Sequence, residues 1–307
     1  VELTDIWAVL TNKVTLVTFP HTIMSAFLTG GAMVLGVSLW QLYRHADRDA
    51  STFRSAAKVG AIIVLVAAAG VAGTGDRQAK VMTEVQPMKM AAAEALYDTK
   101  SSAGFSIFTI GTLEGSDEIA SLRVPGLLSF LGKGSFDAEI EGVNDIQASY
   151  VAKYGPGDYT PNIPLTYWTF RLMMGVGMSA ALAAIWVLWA FWRGRMPKSR
   201  WCGRLALLLP LTPLLGNSFG WIFTEMGRQP WIVFGLMPTA AGVSPGVSTT
   251  EVLISLIGFT LVYGFLAVIE VRLLLKTIGA GLPELPPEPG DGDDGIDDEQ
   301  RQLAFAY

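Results

Sequence analysis

The chain has 307 residues, of which 51% are hydrophobic and 16% charged, with a formal net charge of −5. Its apolar residues come in blocks too long for ordinary core helices, which excludes a soluble domain, and its acidic balance gives no basic footprint for a nucleic-acid partner. A single cysteine, Cys202, excludes an internal disulfide.

A bilayer core needs about 20 apolar residues per helix. Five stretches are long enough: about Val14 to Tyr43, Ala56 to Thr74, Tyr167 to Trp192, Leu205 to Glu225 and Val252 to Leu275. They are continuous runs without the alternation of a barrel, so the expected fold is an all-α integral membrane protein. Residues 1–75 hold two spans, 76–165 a large loop, 166–280 three spans and 281–307 an acidic tail. The chain starts at Val1 with the first span almost at once, and no signal peptide is recognisable. The expectation is that an upstream segment precedes this portion.

The first span carries His21 about seven residues in, roughly 10 Å from its start at about 1.5 Å per residue. Two readings stand, a metal ligand or a histidine hydrogen-bonded to a neighbouring helix. Ser25, Gly30 and Gly31 lie further along and would let a flat macrocycle or another helix come close. Arg44, Arg48, Arg54 and Lys58 follow the span, with His45 solvated among them. Further basic residues, Arg193, Arg195, Lys198, Arg200 and Arg204, follow the third span, and Arg272 and Lys276 flank the fifth. By the positive-inside bias these face the cytoplasm, so the N-terminus of this portion and the 76–165 loop lie outside and the C-terminus inside.

The loop is too polar for a span and carries one helix-like segment, about Val85 to Tyr97. Lys89 and Glu94 lie on it, five residues and about 140° apart, so they need not pair. Both are available to a ligand, and equally to water.

In the third span, Met173 lies at a depth similar to that of His21, with Arg171 two residues earlier as a cation for an acidic ligand group or one that snorkels to the interface. Met173 itself is a candidate ligand or a packing residue. Near the outer end of the fourth span, Glu225, Trp221 and Asn217 share a helix face. Glu225 is either a ligand or the partner of Arg228, and Trp221 and Trp231 are then interfacial anchors. Trp168, Trp186, Trp189, Trp192 and Trp201 read as an aromatic belt, and the acidic stretch Glu284 to Glu299 as a solvated tail. Three potential iron ligands, His21, Met173 and Glu225, thus converge beneath the loop. With no Cys-x-x-Cys-His motif, any haem would be held by ligation and packing alone. A His and Met pair gives a low-spin iron suited to electron transfer, whereas a carboxylate site leaves a position open.

Four blocks occur in order: FPHTIMSAFLTGG around His21, VQPMKMAAAEALYDT in the loop, FRLMMGVG around Met173 and GWIFTEMGRQPW around Glu225. Together they closely resemble the quinol-oxidising haem subunit, subunit I, of cytochrome bd oxidase, over essentially the whole chain except the acidic tail. The resemblance implies that His21 and Met173 ligate a low-spin haem b with Arg171 beside its propionates. It implies that Glu225 ligates a high-spin haem b with Arg228 nearby, and that Trp221 lies between the haems on the electron path. The loop would be the shorter variety of quinol-binding loop, with Lys89 and Glu94 as its quinol-site pair. Menaquinol or ubiquinol would be oxidised outside, oxygen reduced to water at haem d, and protons drawn from the cytoplasm without a pump. A second membrane subunit and small accessory subunits would complete the assembly in a bacterial plasma membrane. The family's first four spans, with the histidine of the haem d region and a proton pathway, have no counterpart here, and the chain reads as a C-terminal portion. Two other classes stand beside this one. An ion transporter or channel subunit would line a path with Glu225, Arg171 and Asn217 and hold no haem. A di-haem electron carrier would call for histidine pairs on facing helices.

Overall fold

A computed structural model describes residues 5–45, 49–112, 114–195 and 199–282. Arg48, Lys198 and the acidic stretch 284–299 lie outside the described residues. After a short helix α1 (Ile6–Leu10), the helix α2 (Lys13–Arg44) starts where the Asn12 side chain accepts the backbone N–H groups of Val14 and Thr15. This is N-cap chemistry, supplying two donors that the first turn cannot satisfy itself.

The helix α3 (Ala50–Val85) is longer than the apolar run that announced it. Its last turns are polar, and Asp76 and Lys80 form an i,i+4 ion pair at 2.8 Å on them. Helix continuation needs backbone hydrogen bonds rather than apolar side chains, so the helix passes Thr74 and runs to Val85. The expected outer region then follows: α4 (Pro87–Glu94), β1 (Lys100–Ser101), β2 (Phe105–Gly111), β3 (Glu118–Val124), α5 (Leu127–Lys133), β4 (Glu139–Ile140) and α6 (Val143–Tyr154). Strand β1 pairs with β4 and β2 with β3, both antiparallel. The chain is therefore mainly helical with short ladders in this region. Helix α4 is buried on nearly every side and contributes to two apolar clusters, one with Val143, Ile146 and Tyr167 and one with Leu128 and Ile140.

The remaining helices are α7 (Ile163–Trp192), α8 (Arg200–Leu208), α9 (Leu211–Met226) and α10 (Thr249–Ala280), with a small ladder of β5 (Trp231–Val233) and β6 (Met237–Pro238) after α9. The fourth apolar stretch is thus two helices, parted at Leu209 and Pro210, and proline supplies no N–H to continue the ladder. Among the described residues, five helical segments are long and apolar enough to cross a membrane: α2, α3, α7, Arg200–Met226 and α10. These are the five stretches expected. The chain from Leu253 onward is a separate unit, and its described residues are those of the apolar helix α10 from Leu253 to Ala280 and the two that follow.

Leu35, Leu39, Ala61 and Val64 meet Ala180, Ala184 and Val187 of α7 and Leu209 in the main core. Helices α2 and α3 approach closely at two glycines. A Cβ at Gly60 would lie 2.7 Å from the Leu35 backbone nitrogen and 3.0 Å from the Gly31 carbonyl oxygen. Backbone cannot step aside as a side chain can, so small residues at such crossings set how near two spans come. Gly60→Ala is expected to cost about 1–3 kcal/mol and to lower the unfolding temperature of the purified complex. An unchanged melting curve would show that the helices can separate freely.

Candidate functional site

Helix α9 organises the site. The Ser25 hydroxyl donates to Asn217 Oδ1, Asn217 Nδ2 donates to Thr29 Oγ1 at 3.3 Å, and Gly36 lies against Pro210. Rising numbers on α2 thus meet falling numbers on α9, and the helices are antiparallel. One turn outward from Ser25 is His21, and one turn outward from Asn217 is Trp221. Helix α7 meets α9 at the same level, because a Cβ at Gly220 would lie 2.9 Å from Met173 Sδ. His21 and Met173 therefore reach the level of Gly220 and Trp221 from two different helices. Glu225 lies one turn beyond, about 6 Å further out.

The tautomer of His21 follows from its partner. Thr74 Oγ1 donates its single proton to the Gly70 carbonyl at 2.7 Å and lies 3.0 Å from His21 Nδ1. The Val71 carbonyl is also within 3.2 Å of this hydroxyl; when its one proton goes to either carbonyl, Thr74 accepts from the ring, Nδ1 carries hydrogen and Nε2 keeps its lone pair. The hydrogen bond to a neighbouring helix is present. It is also what an iron-ligating imidazole needs on its far nitrogen.

Arg171 neither snorkels nor stands alone. Its Nη2 donates to Glu94 Oε2 at 2.7 Å, and the Ser106 backbone N–H donates to the same oxygen at 3.0 Å. Both side chains are enclosed, Arg171 9% and Glu94 1% exposed. The rings of Phe105, Tyr167 and Phe170 surround the guanidinium at 4.7, 4.8 and 5.1 Å. Arg171 Nε and Nη1 are buried without a partner, leaving two donors for an acidic group. Burial pushes the Glu94 carboxyl up, and Arg171 and the Ser106 N–H hold it back.

Lys89 is 9% exposed and points the other way. Its Nζ donates to the Thr224 carbonyl at 3.2 Å and lies 4.9 Å from the Phe223 ring centre. Burial first, and then the charge of Arg228, lower its pKa to about 8, with Glu225 partly opposing. Lys89 and Glu94 do not pair, as their angular separation implied, but α4 ties one to α9 and the other to α7. Neither is a solvated surface residue. The uncharged run Met90 to Ala93 between them was the signal of burial, since a helix apolar all round belongs inside.

Glu225 forms an ion pair with Arg228 through Oε2, the helix-end bridge that was one reading of the sequence. Trp221 is 69% exposed and points away from the packed interior of the described residues. Beside Lys89, a small cavity of about one water's size is lined by Gln86, Tyr150, Arg228, Gln229 and Trp231. Tyr150 Oη, Arg228 Nε and Trp231 Nε1 are buried without a partner, so three donors on its walls are unsatisfied. Burial, with Tyr154 and Glu141 nearby, pushes the Tyr150 hydroxyl up to about 12. Trp231 stacks on Tyr159 with centroids 5.5 Å apart and is an interior residue, not an interfacial anchor. The sequence reading missed Gln86, Tyr150 and Gln229. A Tyr150 to Tyr154 spacing of one turn was the available hint.

Among the described residues, no three His, Cys, Asp or Glu side chains gather as a metal cluster. A metal held here would take ligands presented singly by different helices, with another group filling its remaining positions.

A family model described as cytochrome bd terminal oxidase subunit I matches residues 1–282. Cytochrome bd ubiquinol oxidase subunit 1 of Bacillus subtilis (strain 168) is 39% identical over 283 residues, covering 91% of this chain and 60% of that protein. Cytochrome bd-II ubiquinol oxidase subunit 1 of Escherichia coli (strain K12) is 26% identical, covering 90% of this chain and 64% of that protein. The solved bd oxidase structure from Geobacillus thermodenitrificans superimposes with a TM-score of 0.76 at 25% identity, over 91% of this chain and 61% of that one. The chain thus spans about three fifths of the length of the relatives it matches.

Proposed function

The chain belongs to the cytochrome bd terminal oxidase subunit I family, and on that premise we propose that it is the haem-bearing part of a quinol oxidase that passes electrons to oxygen. The observation that carries this is the buried Glu94–Arg171 pair, which joins the outer region to α7 two residues before Met173.

The residues fit a haem. His21 offers an unprotonated Nε2 and Met173 a thioether at the same level, and Arg171 has two unpartnered donors for a propionate. We assign His21 and Met173 to a low-spin haem b and Glu225, with Arg228 beside it, to a high-spin haem b. Glu225 spends one carboxylate oxygen on Arg228 and keeps the other for this role. We also assign Trp221 to the electron path between the two. When bound, the haems supply one-electron carriers from quinol to oxygen, with haem d the site of reduction to water.

The work of the chain's own residues is to bind and deprotonate. Oxidising a quinol releases two protons. Glu94, whose carboxyl burial pushes up and Arg171 holds back, is the acceptor for one hydroxyl proton, and Lys89 Nζ is a hydrogen-bond donor to the other quinol oxygen, whose proton leaves to the outer water. This makes residues 76–165 the quinol-binding region, open to menaquinol or ubiquinol, on the outer side. Protons consumed by oxygen come from the cytoplasm, so charge is separated without a pump. A second membrane subunit and small accessory subunits complete the assembly in a bacterial plasma membrane, with this portion's N-terminus outside and C-terminus inside.

The transporter reading finds no support in the relatives. Its three polar residues are also committed elsewhere: Arg171 to Glu94, Asn217 to Ser25 and Thr29, and Glu225 to Arg228.

A reduced-minus-oxidised visible spectrum of the purified complex tests the proposal. Low-spin b, high-spin b and far-red d bands are expected, and intact material without haem absorption would refute it. Lys89 adds a pH test. Its folded pKa of about 8 lies below the ordinary 10.5, so between these values the unfolded chain binds more protons. Stability therefore rises with pH across that window, and below about 8 the cost of burying the cation is fully present. Quinol oxidation is expected to show an inflection near 8 that Lys89→Gln removes. An inflection that survives in the variant would assign the titration to another group.

A further inference from the structure

The β2–β3 hairpin is built inside out. Its register pairs Ser106 with Arg123 and Thr109 with Ser121 on one face, and Phe108 with Leu122 and Ile110 with Ala120 on the other. The polar positions of β2 turn inward, whereas on β3 only Arg123 is drawn in and Ser121 is exposed. Ser106 Oγ lies 2.7 Å from both Tyr167 Oη and Thr109 Oγ1, and Arg123 donates to the Glu94 and Ala95 carbonyls at 3.1 and 3.0 Å. The apolar face is exposed. Ile107 and Ile119, which have no cross-strand partner in the register, are 52% and 67% exposed. A hairpin bathed in water has the opposite order, because burial of the apolar face is what holds its register.

The surroundings say what meets this face. The hairpin lies along the first turns of α7: Gly115 at its tip packs on Ile163 and Pro164, Phe108 meets the Trp168 ring edge-on at 5.3 Å, and Phe105 lies against Arg171. From tip to base it therefore descends about 12 Å along a helix long enough to cross the membrane. Its charges are graded along that descent. Glu114, Asp117 and Glu118 are at the tip, whereas the deeper outer positions Ile107, Phe108, Ile110 and Leu122 are uncharged. Leu165, Trp168 and Leu172 form an exposed stripe on α7 that continues the same apolar surface. A tryptophan at this height is typical of the membrane interface.

We propose that the outer face of the β2–β3 hairpin is seated in the outer interfacial layer of the lipid bilayer, as an anchor that holds the extramembrane region against the membrane beside α7. Its occupant is lipid, with acyl chains against the isoleucines and headgroups at the acidic tip.

The test uses the whole oxidase complex in lipid nanodiscs, oxidised and without reductant. Single cysteines at Ile107, Leu122 and Glu114 are spin-labelled, and the unsubstituted complex, labelled in parallel, gives the baseline. Relaxation by dissolved oxygen, which concentrates in lipid, is compared with relaxation by a water-soluble nickel chelate. Oxygen is expected to dominate several-fold at Ile107 and Leu122, and nickel at Glu114. Nickel dominating at all three places the hairpin in water, and protection from both reagents at Ile107 and Leu122 means protein covers it. Either overturns the proposal. If a substituted complex does not assemble, the unsubstituted one is irradiated with a photoreactive phospholipid carrying its diazirine near the glycerol. Lipid adducts are expected on the peptide spanning 105–124, and their absence overturns the proposal as well.

Discussion

Truncating Glu94 to Ala is expected to cost about 3–5 kcal/mol of stability and to lower quinol turnover at least tenfold in whatever complex assembles. The substitution leaves Arg171 caged by three aromatic rings with no carboxylate on Nη2, and an unpaired buried cation is far more costly than an absent pair. It also leaves the Ser106 N–H without its acceptor. Structure and chemistry can be separated by removing both charges. A Glu94→Gln, Arg171→Gln double variant keeps hydrogen-bonding groups of similar size and has no stranded charge, so much of the stability should return. If turnover stays low while the melting temperature recovers and the low-spin haem band is that of the unsubstituted complex, the loss is not at the haem that Arg171 serves and the carboxylate takes part in quinol oxidation. If both recover together, Glu94 is a packing element and the assignment of a proton acceptor to it fails.

The second large effect is expected at Met173. Met173→Leu conserves volume, a class of change that costs less than about 1.5 kcal/mol, so the complex should fold. It removes the sulfur, and the low-spin b absorption should disappear in favour of a high-spin form. An unchanged low-spin spectrum would show that Met173 is not a ligand. Gly220→Ala probes the same atom from the other side. The added Cβ would sit 2.9 Å from Met173 Sδ, and since that is the far end of a flexible side chain, the thioether moves and the helices need not. A shifted low-spin band with an unaltered melting temperature is the expected result.

The spans were readable because each is a continuous apolar run, and length alone decided them. The ends were less so. Nothing in Gly75 to Val85 is apolar enough to announce a membrane helix, yet the helix continues there on backbone hydrogen bonds and the Asp76–Lys80 pair. The strands of the outer region were hidden for a different reason. In β2 the inward positions Ser106 and Thr109 are hydroxyls satisfied by Tyr167 and by each other, so the pattern that normally marks a buried face is inverted. The levels of His21 and Met173 were legible from their distances to helix ends. The pairing of Glu94 with Arg171 was not, since 77 residues separate them and only the seating of α4 between α7 and α9 brings them together. Likewise, the cavity beside Lys89 draws on α4, α6 and the segment after α9, and the Tyr150 to Tyr154 spacing marks a face of α6 without showing what that face meets.

The Thr74 hydroxyl has a consequence for the imidazole it holds. A half-turn of the His21 ring about its Cβ–Cγ bond would set Cδ2–H where Nδ1 now meets Thr74 Oγ1, and that hydrogen bond would be lost. The azimuth of the imidazole plane is therefore fixed by α3, although the histidine belongs to α2. Exchanging the hydroxyl for a methyl group at Thr74 would release that rotation while leaving every atom of the histidine in place.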